Sequence, residues 1–399
     1  MKSDRLLKEK NKCSGCGACM TICPKHAIRM KKDTIGNVYP FVDTNKCINC
    51  KLCYKVCNYF SPCYNNEDKK SYAAFSNNKL ILKNSSSGGI FGTIAKQFIL
   101  EEGLICGCHL SKENEKFILE HVIVDNVNSL NEVLGSKYVQ SAVFKNFKLV
   151  QKKLNEGIKI LFCGTPCQIA GLKGFLGKEY NNLYTIDLIC HGAPNVEIFQ
   201  NYIAFLNKKK KFKIINVKFR DKHFGWGLNG RITVLKKNSL KGHDIPFYYF
   251  DSSYYTLFKE GYLYRENCYT CPFAQKNRIG DITIGDFWGI ENELPELKKK
   301  SIDGISCVIV NNLHGKELIK NYGKDIKMIE VDYKKISKHN GQLNAPAKRP
   351  SNNSKLIKLY KKNGYTAVEE FYSQNFSLSL WKKFMIKLKA RIIFCIRKR

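Results

Sequence analysis

Eight cysteines near the N-terminus fall into two copies of one spacing, and no other feature restricts the fold as tightly. The first copy is Cys13-x-x-Cys16-x-x-Cys19-x-x-x-Cys23; the second is Cys47-x-x-Cys50-x-x-Cys53-x-x-x-Cys57. Three closely spaced thiolates wrap one corner of an iron–sulfur cube, while the fourth cysteine of the run turns away and ligates the other cube. The crossed pattern assigns Cys13, Cys16, Cys19 and Cys57 to one [4Fe-4S] cluster and Cys47, Cys50, Cys53 and Cys23 to the other. Pro24 follows the first run as the pattern asks, whereas Asn58 follows the second. A zinc site pairs separated Cys-x-x-Cys units and needs only four ligands. A whole run of four, repeated, points to clusters and to the movement of single electrons.

The segment MKSDRLLKEKNK is charged and carries no apolar stretch of the secretory kind. Nor does any run of roughly 18 apolar residues occur that would span a membrane. The thiols therefore read as those of a reducing compartment, where grouped cysteines mean metal or catalysis rather than disulfides. The cytoplasm is the expected location. The net charge of +33, from 67 Lys and Arg against 34 Asp and Glu, could match nucleic acid, an anionic membrane surface, or acidic cofactors and redox partners. Lys and Asn are spread along the whole chain and no recognition motif accompanies them, so no nucleic acid is expected.

At 399 residues, with 44% hydrophobic, the chain has room for two or three domains with packed cores. Residues 1–64 form the head that carries the doubled run, with Ile28–Met30 and Val38–Val42 reading as short strands around a turn. A polar linker, Asn65-Asn66-Glu67-Asp68-Lys69-Lys70, follows. From residue 72 to 340 apolar strands alternate with helical patterns, which predicts a mixed α/β (α+β) body. Strands are expected at Tyr72–Phe75, Leu104–Leu110, Ile158–Phe162 and Leu183–Ile189, and helices at Ile90–Glu102 and Ser141–Asn155. Gly, Asn, Pro and Ser mark the end of the body, and residues 355–399 read as a basic helical tail. Within it Trp381, Phe384, Met385, Leu388, Ile392 and Ile396 share one helical face amid Lys and Arg. That face is expected to dock on the body, with peripheral contact at the cytoplasmic face of an anionic membrane as the alternative.

Five more cysteines stand beside glycine, proline and strand ends. Cys163 and Cys167 flank Gly-Thr-Pro; Cys190 ends a strand in Ile189-Cys190-His191-Gly192; Cys268 and Cys271 precede Pro272. Cys167, Cys190, Cys268 and Cys271 could converge on a third cube, with Cys163 as a substitute or neighbouring thiol. Spacing alone leaves this level with small buried hydrophobes. For Cys106, Cys108, Cys307 and Cys395 burial is the expectation. The loop Ser85-Ser86-Ser87-Gly88-Gly89 precedes a helix and suits either a pyrophosphate or an ordinary cap and turn.

Several short segments together resemble the coenzyme F420 hydrogenase/dehydrogenase beta-subunit family. They are Ser86-Ser87-Gly88-Gly89, Gly135-Ser136-Lys137-Tyr138-Val139-Gln140-Ser141, Gly164-Thr165-Pro166-Cys167-Gln168, Ile189-Cys190-His191-Gly192, Phe219-Arg220-Asp221-Lys222, Cys268-x-x-Cys271-Pro272 and residues 281–289. They run in family order from about residue 72 to 330, behind a two-cluster ferredoxin-like head. The resemblance implies a flavin-binding mixed-sheet domain holding FAD next to a third [4Fe-4S] cluster on Cys167, Cys190, Cys268 and Cys271. It also implies cofactor contacts from Ser86, Ser87, Gly88, Gly89, Lys137, Gln140, Thr165 and Gln168. Lys137 and His191 are the candidate catalytic side chains, His191 as a proton relay or as a strand cap. Arg220, Lys222 and Arg278 are candidates for an anionic acceptor, and the Asp-Ile-Thr-Ile-Gly-Asp-Phe-Trp-Gly run is expected to pack.

The function so implied is that of an iron–sulfur flavoprotein oxidoreductase. It would pass electrons between clusters and an anionic two-electron carrier, F420-like or other, beside a redox partner or a hydrogenase/dehydrogenase-type subunit. Two alternatives stand beside it: an enzyme acting on a biosynthetic intermediate such as a sugar in surface-polysaccharide assembly, and a flavin-free ferredoxin-type carrier.

Overall fold

The computed structural model describes residues 10–58, 69–236, 239 and 241–398; most of the expected linker, residues 65–68, lies outside them. The head is built on a hairpin in which Ile28–Lys32 (β1) pairs antiparallel with Val38–Val42 (β2). Asp33 closes the turn, its Oδ1 accepting the N–H groups of Ile35 and Asn37 at 3.0 and 2.9 Å. Cys19 and Cys53 sit in matching short helices, Ala18–Thr21 and Leu52–Lys55. Each is entered through a left-handed residue, Gly17 at φ 76° and Lys51 at φ 61°. That sharp turn, which glycine adopts without strain, brings successive cysteines of a run back toward one another. The head's own buried apolar core is small: Cys19, Ile28 and Val42.

The body carries an eight-stranded mixed sheet. Its strands are Lys70–Ser76 (β3), Leu104–Glu113 (β4), Lys116–Val124 (β5), Ile160–Gly164 (β6), Leu183–Leu188 (β7), Ile282–Asp286 (β11), Ser306–Val310 (β12) and Ile326–Glu330 (β13). They lie in the order β13-β3-β12-β11-β7-β6-β4-β5. The four central strands β4, β6, β7 and β11 run parallel, and the flanking pairs are antiparallel. Helices cover both faces of the central strands, so β6 reads as a continuous apolar run and even the polar Thr185, Asp187 and Thr283 of β7 and β11 are buried. Ile94 and Phe98 of helix Ile90–Leu100 pack on Leu161, Ile186 and Val308. On the other face, Phe147 of helix Phe147–Asn155 and Ile169 and Leu172 of helix Pro166–Leu176 pack on Phe162.

A second, three-stranded sheet joins Phe212–Lys218 (β8), Gly230–Lys236 (β9) and His243–Phe247 (β10). Its core is aromatic and draws in helix Val196–Lys210, helix Ser253–Lys259 and two helices of the tail, Asn353–Asn363 and Tyr365–Asn375. Leu356, Tyr360, Val368 and Phe371 are buried there, so this part of the tail completes the body. Helix Leu380–Lys398 follows. Contrary to expectation its apolar face does not dock: Trp381, Phe384, Met385, Leu388 and Ile392 are exposed, while the side chains of Ile396 and Arg397 lie outside the described ones. The helix expected over Ser141–Asn155 starts only at Phe147, after a 3-10 turn. Ala142 is claimed by the edge of β5, accepting from the His121 N–H and donating to Leu119.

Head and body meet on helix Pro166–Leu176. A Cβ at Gly171 would stand 2.8 Å from Cys16 Cβ, and one at Gly174 would stand 2.5 Å from the Val56 carbonyl. Only glycine permits that approach. Asn58, in the place where the cluster pattern favours proline, donates its side-chain amide to the Cys167 carbonyl at 2.7 Å. Arg265, 2% exposed, donates to the carbonyls of Cys13 and Val38 at 3.2 and 3.0 Å and to Gln140 Oε1 at 3.0 Å. It also lies over the Tyr39 ring at 4.8 Å.

Candidate functional site

The head's cysteines sort into two mutually close groups by their electrostatic neighbours. Burial pushes the Cys16 thiol up to about 12, and Cys13 and Cys57 add to it; Cys19, raised well above the ordinary range by burial, has the neighbours Cys16, Cys13 and Cys57. Cys53, raised to about 11 by burial, has Cys50, Cys47 and Cys23 around it. These are the two sets that the crossed spacing predicts. Cys53 is also a neighbour of Cys19, so the two groups adjoin.

A third group gathers at the carboxyl ends of the parallel strands, where open α/β sheets bind ligands. Cys167 opens the helix after β6, Cys190 follows β7, Cys268 lies in the 3-10 turn Glu266–Thr270, and Cys271 comes next. Burial raises Cys190 well above its usual value, and Cys268, Cys167 and Cys271 raise it further. Burial likewise lifts Cys268 to about 11 and Cys271 to about 12. Buried thiols of this kind give up their protons on binding metal. Thr165 Oγ1 stands 3.2 Å from Cys167 Sγ, an outer-shell contact that would tune a bound cluster. The third group touches the first, since Cys167 is a charge neighbour of both Cys13 and Cys16. Among the described residues no three His, Cys, Asp or Glu side chains close on one ion. Four thiols with no carboxylate among them suit an iron–sulfur cube.

The third group opens into a cavity of about 670 Å³, within the range of small-molecule and cofactor sites. Ser86, Ser87, Gly89, Lys137, Gln140, Thr165, Gln168 and His191 all line it. Gly88 does not: it is buried, with its N–H donated to Ser306 Oγ at 2.9 Å. Gly89, at φ 82°, caps helix Ile90–Leu100 and aims the first turn at the cavity. The serine loop is tied in place, Ser86 Oγ accepting from the Ser136 N–H at 2.7 Å and Ser87 Oγ donating to the Ile305 carbonyl at 3.0 Å.

Several expected contacts have internal tasks instead. Gln140 donates to the Ser14 carbonyl at 2.8 Å and accepts from Arg265, so its amide joins body to head. Gln168 completes a capping box with Thr165 and donates to Ser141 Oγ at 2.9 Å. Arg220 pairs with Asp286 at 2.8 Å and Arg278 with Asp187 at 2.9 Å, both arginines buried. Lys222 donates to the carbonyls of Leu82 and Ser87. These three cations brace the walls rather than offer an anion site. Asp286 also accepts from Trp226 Nε1 at 2.7 Å, so the run expected merely to pack holds the ion pair of one wall.

Lys137 is different. Its ammonium donates to the Leu134 carbonyl at 2.7 Å and the Glu132 carbonyl at 3.2 Å, and burial lowers it to about 8 with Cys108 and Cys163 beside it. Both acceptors are neutral carbonyls, so it retains positive charge for an anion in the cavity. Cys163 belongs with Lys137 and Cys108, not with the third thiol group. Cys108, expected to be simple core, lines the cavity. Sequence reasoning also passed over His121, which bridges the Cys163 carbonyl and Ser141 Oγ at 3.0 Å each and is lowered to about 4 by burial. Neither His121 nor Arg265 stands in a motif.

Residues 157–335 match the family model for the C-terminal part of the coenzyme F420 hydrogenase/dehydrogenase beta subunit, and residues 12–60 match a 4Fe-4S dicluster domain. The chain is 38% identical over 52 residues to an uncharacterized ferredoxin of Methanocaldococcus jannaschii, covering 13% of this chain and 66% of the other. A second uncharacterized protein of that organism is 27% identical over 215 residues, 45% of this chain and 58% of its own. One subunit of the F(420)H(2) dehydrogenase of Methanosarcina mazei is 24% identical over 166 residues, 39% of this chain and 46% of its own. The chain thus spans between about half and two thirds of the curated relatives it matches. A chain of the F420-reducing [NiFe] hydrogenase complex from Methanosarcina barkeri aligns at TM-score 0.42 and 13% identity, over 78% of this chain and 93% of that one.

Proposed function

We propose, from the match of residues 157–335 to the C-terminal part of the coenzyme F420 hydrogenase/dehydrogenase beta subunit and of residues 12–60 to a 4Fe-4S dicluster domain, that the chain relays electrons between three [4Fe-4S] clusters and FAD in the cavity. The observation that carries the reading is the succession of thiol groups. Cys53 neighbours Cys19, Cys16 neighbours Cys167, and Cys167, Cys190, Cys268 and Cys271 open into the cavity.

When bound, clusters carry electrons singly and a flavin exchanges them as pairs with a two-electron carrier. The residues supply placement and potential. Ser86, whose hydroxyl proton is not spent within the loop, and the helix end at Gly89 would hold a pyrophosphate, and Lys137 would add positive charge within the same cavity. Arg265, between the first and third thiol groups, favours thiolate at Cys13, Cys167 and Cys268. The resulting protein is an iron–sulfur oxidoreductase subunit that works beside a partner subunit or an anionic carrier. Iron, acid-labile sulfide and flavin per chain, on anaerobically purified protein, test the reading. About twelve iron with one FAD is the expected outcome. About eight iron without flavin would overturn it in favour of a ferredoxin-type carrier.

A further inference from the structure

Helix Leu380–Lys398 is held to the body by the side that amphipathic helices usually leave in water. Lys383 and Lys387 reach Asp251 at 3.2 and 2.7 Å, and Lys387 lies over the Tyr248 ring at 5.3 Å. Ile386 packs between them on Tyr248 and Phe250. The apolar stripe, Trp381, Phe384, Met385, Leu388 and Ile392, follows the i, i+3, i+4 rule of a single face and points away from the body. Trp381 is 69% exposed, Phe384 55%, Ile392 52% and Leu388 38%. Residues 380–399 contain no Asp or Glu. Lys382 and Lys389 flank the stripe on one side and Arg391 on the other, all exposed.

We infer that this helix docks the protein in the plane of an anionic lipid surface. An apolar stripe with a tryptophan at one end, bordered on both sides by long cationic side chains and free of acids, matches the boundary between headgroups and acyl chains. The stems of Lys382, Lys389 and Arg391 can lie along the lipid while their charges meet headgroup phosphates. The ion pairs to Asp251 set the orientation beforehand, so binding costs little ordering. No helix among the described residues is long and apolar enough to cross a membrane, so the contact is peripheral. A protein partner would have to match a wholly cationic border around the stripe, whereas a membrane surface supplies negative charge on every side.

Co-sedimentation of the intact protein with vesicles tests this, using phosphatidylcholine alone and phosphatidylcholine with about a third phosphatidylglycerol. Sedimentation with the anionic vesicles only, released by about 1 M salt, is expected. Trp381→Ser with Phe384→Ser should abolish it, and Lys382→Glu with Lys389→Glu should weaken it by at least about 25-fold, at about five-fold per lysine. Both pairs are exposed, so iron content should match the parent and report intact folding. Equal binding to neutral vesicles, or no binding to either, would overturn the inference. So would a change of oligomeric state in the Trp381→Ser, Phe384→Ser variant without any vesicle binding, which would make the stripe a protein interface.

Discussion

A single guanidinium, that of Arg265, is shared by the head and the body. It is buried, and its hydrogen bonds end on Cys13, Val38, Gln140 and Asn267. Arg265→Leu leaves the partly buried carbonyls of Cys13 and Val38 without this donor, which costs up to about 1–3 kcal/mol for each. It also removes positive charge between two thiol groups, so redox titration followed by electron paramagnetic resonance should show more negative cluster potentials. Arg265→Lys keeps the charge but not the fork; it should hold the potentials near the parent's while still lowering the melting temperature. Lys137 makes a second prediction at this scale. Its ammonium is disfavoured by burial, so the neutral, nucleophilic amine appears as pH rises through about 8 instead of the usual lysine range. The rate of Lys137 labelling by a small acylating reagent, read by mass spectrometry, should inflect there in flavin-free protein; an inflection above about 10 would refute the placement. The eight cysteines of the head were legible from their spacing alone, whereas for Cys167, Cys190, Cys268 and Cys271 spacing left two readings level and only the family resemblance singled them out. Arg265, Asn58 and His121 were not, because each acts on partners distant in the chain.

Two glycines decide how one helix serves both halves. In Pro166–Leu176 an alanine at Gly171 would raise intrinsic helix stability by up to about 1 kcal/mol, yet its Cβ would meet Cys16 Sγ at 2.9 Å. Gly171→Ala should therefore lose iron from the first cluster, or broaden its resonance signal, without loss of helical circular dichroism. If iron content and spectrum are unchanged, head and body do not meet as described. Most elements were legible from apolar runs, as at β1, β2, β6 and β7, each within two residues of expectation at its ends. The misses share one physical cause, which is that tertiary partners outbid local pattern. Ser141 and Ala142 look helical but complete the β5 edge, and the final helix looks like a docking helix but is turned over by Asp251. No local signal in residues 380–399 reports an aspartate more than a hundred residues earlier.

As a whole the molecule joins a metal-dependent part to one that stands on its own packing. The head's core is Cys19, Ile28 and Val42, whereas the body buries an eight-stranded sheet between helical layers. Stripping iron with a chelator should unfold residues 10–58 while the central sheet persists. Hydrogen exchange should then show protection lost over Ile28–Val42 and kept over Ile282–Val310; loss of both together would mean that the clusters hold the whole fold. The connection between the parts also has a cost in time. Arg265 reaches back across 252 residues to Cys13, and Thr270 across 259 to Asn11. At about 5–20 residues per second, a nascent chain waits some ten seconds to nearly a minute between making its first cysteine run and making the residues that shield it. During that interval the thiols of this run stand without the partners that the body later brings to them, so their protection is set by the pace of synthesis as much as by the fold.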